Sequence, residues 1–179
     1  MKNKLLIHSC CAPCFIGVIY KLIEEYSVTV LFYNPNIEPV DEYIKRKETQ
    51  MNLLNKLNIN YIDVDYNNDE FKNKIIGYEQ EPEKGFRCSL CFELRLEKTA
   101  GIAKEQGYEY FGTTLSVSPH KDSKLINELG VSISTKYKIK YLVSDFKEDN
   151  GFQKSIELAK EHKLYRQNYC GCKYSRRVK

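Results

Sequence analysis

Residues 4–14, KLLIHSCCAPC, run from an apolar stretch directly into a cysteine-rich turn. Lys4–His8 has the composition of a short buried strand, and apolar residues recur at helical spacing over Phe15–Glu25. Pro13 suits the first turn of that helix, because the first amides of a helix have no intrahelical acceptor. The stretch therefore predicts a strand–turn–helix unit with thiols at its turn.

The alternation of strands and helices continues along the chain. Further strands are predicted at Val28–Tyr33, Tyr61–Asp65, Tyr110–Leu115 and Tyr141–Ser144. Helices are predicted at Glu42–Leu57, Glu70–Tyr78, Leu90–Gln106, Lys121–Leu129 and Phe152–His162. Gly107 and Gly130 are the expected C-terminal caps of the third and fourth of these helices. The pattern indicates one α/β domain over residues 1–179, with a mostly parallel five-stranded sheet flanked by helices.

Composition narrows the class of protein. The sequence is 42% hydrophobic and 29% charged, as in globular proteins, and its net charge of +4 permits a nucleic-acid partner without requiring one. No stretch approaches the ~20 apolar residues that span a bilayer. The apolar run before Cys10 is too short for a signal peptide. We therefore expect a cytoplasmic protein without a membrane partner, in a compartment that keeps thiols reduced.

The seven cysteines fall into three tight groups. They are Cys10, Cys11 and Cys14; Cys88 and Cys91; and Cys170 and Cys172. Because zinc closes at four ligands, a site with five or more thiolates fits an iron–sulfur centre, or a cluster beside a second metal, better than zinc. Zinc stays an alternative that would leave three cysteines idle. A thioredoxin-like pair at Cys11 and Cys14 is another, which leaves the other groups unexplained.

Polar side chains follow the predicted strands at the edge where ligands bind in such sheets. Within residues 113–122, TTLSVSPHKD, His120 is a candidate proton donor and Asp122 a second candidate catalytic group. Helix capping by Ser118, with Asp122 in the first turn, explains part of the same pattern. The candidate substrate contacts of this segment are Thr114, Ser118 and Lys121.

Other candidate substrate contacts lie in a rigid polar loop, on the following helix and in a basic segment. They are Asn34, Asn36, Arg46, Arg166 and Tyr169. The basic segment carries Lys163, Arg166, Lys173, Arg176, Arg177 and Lys179 among Tyr165, Tyr169 and Tyr174. Cations interleaved with aromatic rings suit phosphates and stacked bases, although a solvated basic tail gives the same pattern.

Seven ordered blocks of the chain together resemble the cobalamin-independent epoxyqueuosine reductase family. The blocks read HSCCAPC, YNPNIEP, EYIKR, RCSLCFELRL, FGTTLSVSPHKD, DFKEDNGFQKS and LYRQNYCGCKYS. The resemblance implies reduction of the epoxide of epoxyqueuosine, at the wobble position of tRNA, to the alkene of queuosine. It also implies a Rossmann-like fold related to the nucleotide α-hydrolase group, with a metal site at the C-terminal edge of the strands.

The same resemblance implies a [4Fe–4S] cluster on three cysteines and an additional mononuclear iron beside it. The residues that match the family's paired cysteines are Cys10, Cys11, Cys88, Cys91, Cys170 and Cys172. Cys14 corresponds to a position that is aspartate in some members, and it is a further candidate ligand. The implied partners are tRNA bearing epoxyqueuosine and an electron donor that the sequence does not identify.

Two other functions compete with this interpretation. An ATP-dependent tRNA thiolase-like enzyme would use the same fold, but its first loop needs glycines and a serine where this chain has cysteines. A zinc-stabilised RNA-binding module without catalysis would use fewer thiols. Metal and sulfide analysis separates the second alternative from the reductase.

Overall fold

Five parallel strands form the sheet of the computed structural model, which describes residues 1–148 and 150–176. The strands are β1 (Asn3–His8), β2 (Tyr26–Leu31), β3 (Asn60–Ile62), β4 (Tyr110–Thr113) and β5 (Lys140–Tyr141). Their order is β3-β2-β1-β4-β5, and each neighbouring pair is parallel. The predicted five-stranded α/β sheet is confirmed.

Helices cover both faces of the sheet. They are α1 (Ala12–Ile16), α2 (Ile19–Glu25), α3 (Val40–Lys56), α4 (Asn68–Lys74), α5 (Phe86–Glu105), α6 (Ser123–Tyr137) and α7 (Gly151–Glu161). Leu6 of β1 packs in one apolar cluster with Leu96 of α5, while its neighbour Leu5 packs in another with Phe15 of α1. A central strand that is buried on both sides is typical of parallel sheets, and it explains why β1 reads as a continuous apolar run. Among the described residues, no helix has both the length and the apolarity to cross a membrane.

The register of the sheet fixes where the site lies. His8, the last residue of β1, pairs with Leu31 of β2 on one side and with Thr113 of β4 on the other. Three strands therefore end at one level, and the strand order reverses between β1 and β4. That reversal is where open α/β sheets bind ligands.

The helix predicted over Phe15–Glu25 is wrong in detail, because two helices replace it. α1 begins earlier, at Ala12, and the chain leaves helical geometry at Val18 before α2 starts. A β-carbon on Gly17 would lie 2.6 Å from the carbonyl oxygen of Gly151. Close packing of α1 against α7, a long-range contact, thus determines this short helix and the break after it.

Gly130 is not the C-terminal cap that its sequence position predicts. α6 continues through it to Tyr137, and Lys138 takes up the left-handed conformation that ends the helix. A β-carbon on Gly130 would lie 2.3 Å from the ring of Tyr141, so the glycine allows α6 to pack directly on β5. Gly107, by contrast, follows the end of α5 with a φ of 72°, as expected of a helix cap.

Candidate metal centre and cavity

The first cysteine group lies immediately beyond the central strand. The thiols of Cys10, Cys11 and Cys14 lie within 4.8 Å of one another. Cys11 is the N-cap of α1, and Pro13 occupies the first helical turn, as predicted. The backbone amide of Cys10 donates to Thr114 Oγ1 at 3.2 Å, which ties this turn to the segment after β4. The three thiols form a small metal-binding geometry by themselves.

His8 supports this turn and lies behind the metal centre. Its ring is fully buried, and its nitrogens contact Thr113 Oγ1 at 2.9 Å, the Tyr33 carbonyl oxygen at 3.0 Å and Asn34 Oδ1 at 3.2 Å. Burial, together with the positive charge of Arg95, lowers the pKa of His8 to about 3. The imidazole is therefore neutral at physiological pH and joins three strand ends by hydrogen bonds.

The other two cysteine groups line the same cavity, whose volume is about 640 Å³. Cys88 and Cys91 lie in the first two turns of α5, and Cys170 and Cys172 follow α7. All seven cysteines belong to the described residues and line this cavity, and none of them forms a disulfide. The convergence that was predicted from sequence is thus present in the fold.

Two cations lie among the sulfurs. Arg95, which is buried, donates from Nη2 to Cys91 Sγ at 3.3 Å and from Nε to the Cys91 carbonyl oxygen at 3.0 Å. Burial alone would lower the pKa of Lys121, but the negative sulfurs of Cys170 and Cys10 outweigh it and raise that pKa. The site therefore holds permanent positive charge that can balance several thiolates.

The thiols differ in acidity. Hydrogen bonds with Cys11 and Cys14 lower the pKa of Cys10 well below its usual value. The contact with Cys10 raises the pKa of Cys11 to about 12, and burial raises that of Cys91 to about 12. Without metal, Cys10 is thus the most acidic of these three thiols. Because metal ligands must be thiolates, this donor set takes up metal with release of protons.

Long-range contacts hold the last cysteine group in place. Arg46 is 2% exposed, and its guanidinium donates to the carbonyl oxygens of Cys170 at 2.9 Å and Tyr169 at 3.2 Å. Its Nε donates to Glu42 Oε1 at 2.6 Å. Gly171 has a φ of 144°, and its carbonyl accepts the backbone amide of Glu38 at 2.9 Å. Arg46, expected to contact substrate, thus positions a cysteine segment from behind the cavity wall.

The remaining sequence-predicted residues divide into two sets. Those in the cavity wall are Asn36, Ser118, His120, Lys121, Asp122, Arg166 and Tyr169. Asn34 and Thr114 are buried behind it, where they hydrogen-bond the turn formed by Ser9 and Cys10. Asp122 is itself the N-cap of α6, since its Oδ1 accepts the backbone amides of Lys124 at 3.0 Å and Leu125 at 3.1 Å. The predicted cap, Ser118, instead accepts the amide of His120 at 3.3 Å.

The tyrosines of the basic segment are engaged inside the protein. Tyr165 donates to the carboxylate of Glu42, and Tyr169 donates to the Glu38 carbonyl oxygen at 2.6 Å. The ring of Tyr174 lies under the guanidinium of Arg87. Arg177 and Lys179, which belong to the predicted basic segment, lie outside the described residues.

Sequence reasoning missed several residues of the wall. Arg87 and Arg95 flank Cys91 at spacings of four, so one face of α5 presents arginine, cysteine and arginine. That spacing was a readable signal. Gln167 gave none, because its place depends on how the segment after α7 folds back. Within the described residues, Asn36 Oδ1 and Gln167 Oε1 are buried in this wall without a hydrogen-bond partner.

Comparison with known proteins assigns the family. The family model described as epoxyqueuosine reductase QueH matches residues 5–178. The proteins named epoxyqueuosine reductase QueH from Staphylococcus epidermidis and Streptococcus pyogenes are 42% and 40% identical, over 97% and 99% of this chain and 76% and 72% of their own lengths. The protein of that name from Thermotoga maritima is 36% identical over 96% of this chain and 89% of its own. The chain therefore belongs to the epoxyqueuosine reductase QueH family, as its cysteine-bearing blocks indicated.

Proposed function

We propose that this chain reduces epoxyqueuosine in tRNA to queuosine by reductive removal of the epoxide oxygen. One observation carries the proposal: seven free cysteines and two cations line one cavity at the carboxyl edge of the sheet, in a chain of this family. The reaction consumes two electrons and two protons and releases water. A site for it must hold a redox centre, donate protons and admit a nucleotide.

The donor set fits the proposed cofactor, a [4Fe–4S] cluster with one additional iron. Seven thiols exceed the four ligands of one zinc, and Arg95 and Lys121 supply charge compensation beside them. Cys10, Cys11 and Cys14 form one close set, and the remaining four cysteines would provide the other ligands. When bound, such a group supplies electrons singly and a Lewis acid.

The protein's own groups would bind the substrate and deliver protons. His120 is exposed at the cavity wall, where its imidazole can donate a proton to a bound substrate. The raised pKa of Lys121 keeps its ammonium charged, which suits it to bind an anionic or developing oxygen. Asn36 and Gln167 have carbonyl oxygens free to accept hydrogen bonds from substrate hydroxyls. Leaving such buried acceptors without a partner costs about 1–3 kcal/mol each.

The remaining wall residues suit an RNA substrate. Arg166 is exposed at the cavity and can bind an anticodon phosphate, and Ser118 and Tyr169 offer further polar contacts. The strand order β3-β2-β1-β4-β5 supports a relation to Rossmann-like folds, whose first five strands share it. Seven free thiols favour the cytoplasm, where cysteines stay reduced.

The test is metal analysis followed by turnover. Protein purified without oxygen should contain about five irons and four sulfides per chain. With dithionite it should convert epoxyqueuosine tRNA to queuosine tRNA, read by mass spectrometry of the nucleosides. One zinc without sulfide would instead support a non-catalytic RNA-binding module.

The proton-donor role has its own test. His120→Gln should reduce turnover by about a hundredfold, with iron and sulfide unchanged, because general acids contribute roughly 10²–10⁴ in rate. His162→Gln is the matched control, since His162 lies at the end of α7 outside the cavity wall. Turnover that is unaffected by His120→Gln would remove His120 from the mechanism.

A further inference from the structure

Two exposed aromatic rings lie beside the cavity, in the segment between α4 and α5 and at the start of α5. Tyr78 is 40% exposed and Phe86 is 50% exposed, and their ring centroids are 4.7 Å apart. Phe86 begins α5, two residues before the cavity residue Cys88. Lys84 and Arg87, its near neighbours in the chain, also line the cavity. The pair therefore adjoins the cavity wall and presents aromatic surface to solvent.

The loop that carries this pair is held in one shape by its own contacts. Arg87 donates from Nη1 to the carbonyl oxygens of Glu79, at 3.0 Å, and Glu81. The carboxylate of Glu81 accepts the backbone amide of Phe86 at 3.1 Å, and the amide of Lys84 donates to Cys88 Sγ at 3.3 Å. The rings are thus fixed relative to a thiol of the metal centre, so a ligand that binds them does not have to order the loop.

We propose that Tyr78 and Phe86 form a stacking platform for the RNA base that neighbours the modified nucleotide. This inference rests on the proposed function. It concerns the neighbouring base of the RNA, which would bind outside the cavity that receives the modified nucleotide. A base that enters a cavity leaves the stack of its loop, and its neighbour loses a stacking partner. An exposed aromatic pair beside the cavity restores that lost contact.

The charge around the pair favours a base over a phosphate. Residues 79–87 carry three glutamates, Glu79, Glu81 and Glu83, against the two cations Lys84 and Arg87, so the net negative charge of this loop would disfavour the RNA backbone. A base presents a neutral aromatic face and N–H donors, and it tolerates nearby carboxylates. The tyrosines of the basic segment donate to internal acceptors or lie under Arg87, so they are less available for stacking than this pair.

A binding assay tests the platform without requiring turnover. The probe is an anticodon stem-loop RNA that carries 2-aminopurine next to the modified position. The fluorescence of 2-aminopurine falls when this base stacks on an aromatic ring. Phe86→Ala and Tyr78→Ala should each weaken binding by about fivefold or more, as expected for a lost base–aromatic stack. Each should also reduce the quenching. The dependence of Kd on salt should stay as in the unaltered protein, because no phosphate contact is lost.

Three control variants make the assay specific. Tyr20→Ala removes an equally exposed ring, 45% exposed on α2, and should leave Kd unchanged. Phe86→Tyr should keep binding and quenching, since it keeps the aromatic face. Phe86→Leu keeps apolar bulk at the start of α5 and should still lose the quenching. Iron and sulfide content, measured in each variant, verifies that Cys88 keeps its place.

Several results would overturn the platform. The first is an unchanged Kd in both alanine variants. The second is a shallower salt dependence of Kd, which would reveal a phosphate contact. The third is a variant that turns over normally with dithionite but loses turnover with a protein electron donor. The last result would assign the pair to donor docking. Failure of the unaltered protein to reduce epoxyqueuosine would reject the proposed function, yet the binding and quenching data would still decide whether the pair stacks on RNA.

Discussion

The first and last cysteine groups reach the same cavity by different means. The Cys10–Cys14 turn is placed largely by the elements next to it in sequence, since the buried strand β1 precedes it and α1, with Pro13 in its first turn, follows. The Cys170–Cys172 segment lies outside the helices and strands, and a short 3-10 turn follows it at Lys173–Ser175. It is held by Arg46, which is 124 residues away from Cys170 in sequence. One half of the centre therefore adjoins the sheet, whereas the other depends on tertiary contacts, chiefly those of the buried Arg46 and the backbone hydrogen bond between Glu38 and Gly171.

This difference indicates which cysteines should stay in place when a residue elsewhere in the protein is changed. We expect changes that leave the sheet intact to leave Cys10 and Cys11 at the end of β1, because β1 pairs along its whole length with β2. We expect loss of the Arg46 guanidinium to loosen the segment of Cys170 and Cys172 while the sheet stays folded. Variants in the two regions should therefore fail in different ways.

Removing a thiol from either region should have the largest effect on function. Cys11→Ser and Cys172→Ser should each reduce reductase turnover by at least about a hundredfold, because even outer-shell changes at metal centres cost 10–100-fold. Cys11→Ser should also lower the free energy of unfolding by about 1–3 kcal/mol, since it buries a hydroxyl beside the central strand. Turnover and urea unfolding measure these two effects, and iron content shows whether each variant still binds metal.

Ser89→Ala is the matched control for both cysteine variants, because Ser89 lies between Cys88 and Cys91 in α5. It should retain iron and turnover. Equal loss of folding stability in Cys11→Ser and Cys172→Ser would contradict the contrast between the two regions.

Arg46→Leu should separate the two regions most clearly. It removes the guanidinium that donates to the carbonyl oxygens of Tyr169 and Cys170, in a buried site, and leaves the Glu42 carboxylate without its charged partner. Breaking such a buried pair costs about 3–5 kcal/mol. We expect alkylation of Cys170 and Cys172 to accelerate in native, metal-free protein, ahead of Cys11, as read by mass spectrometry. Lys56→Leu, an exposed change on the same helix, should leave alkylation rates unchanged.

An equal increase in the alkylation rates of all seven cysteines in Arg46→Leu would show that the variant unfolds globally. That result would contradict a separately held segment. Arg46→Lys keeps the positive charge but loses the forked geometry, so it should fall between the two extremes.

Gly130→Ala should destabilise the fold without favouring either cysteine region. Its β-carbon would meet the ring of Tyr141, and overpacking of this kind costs about 1–3 kcal/mol. Gly101→Ala is the control: its β-carbon would lie 3.5 Å from Tyr137, an ordinary contact, so it should stabilise α5 by about 0.5–1 kcal/mol. Urea unfolding measures both. Equal stability changes of the same sign would show that α6 is not packed on β5 as described.

Arg166→Gln should have the smallest effect of the series. It removes one exposed cation from the cavity wall and leaves every cysteine in place. The slope of log Kd against log salt for stem-loop RNA should fall by about 0.7, as for one lost phosphate contact with single-stranded nucleic acid. An unchanged slope would place Arg166 outside the RNA contact. Lys56→Gln, on α3, should not alter the slope.

The sequence predicted most of what local physics determines. The five strands, their mostly parallel arrangement and the convergence of three cysteine groups follow from apolar runs, alternation and the ends of strands. The break after Gly17 and the passage of α6 through Gly130 could not be predicted, because each depends on a helix or strand packed against the glycine. The position of Arg46 was missed for a related reason. Its carbonyl acceptors lie in a segment whose path is set only by tertiary contacts.

The wide spacing of the cysteine groups also has a consequence for biosynthesis. A ribosome adds about 5–20 residues per second, so roughly ten to thirty seconds separate synthesis of the first thiol group from that of the last. During that interval the early thiols belong to a nascent chain that has no cavity to enclose them. We expect metal loading to follow release of the chain, and oxidants that act during translation to damage the enzyme most.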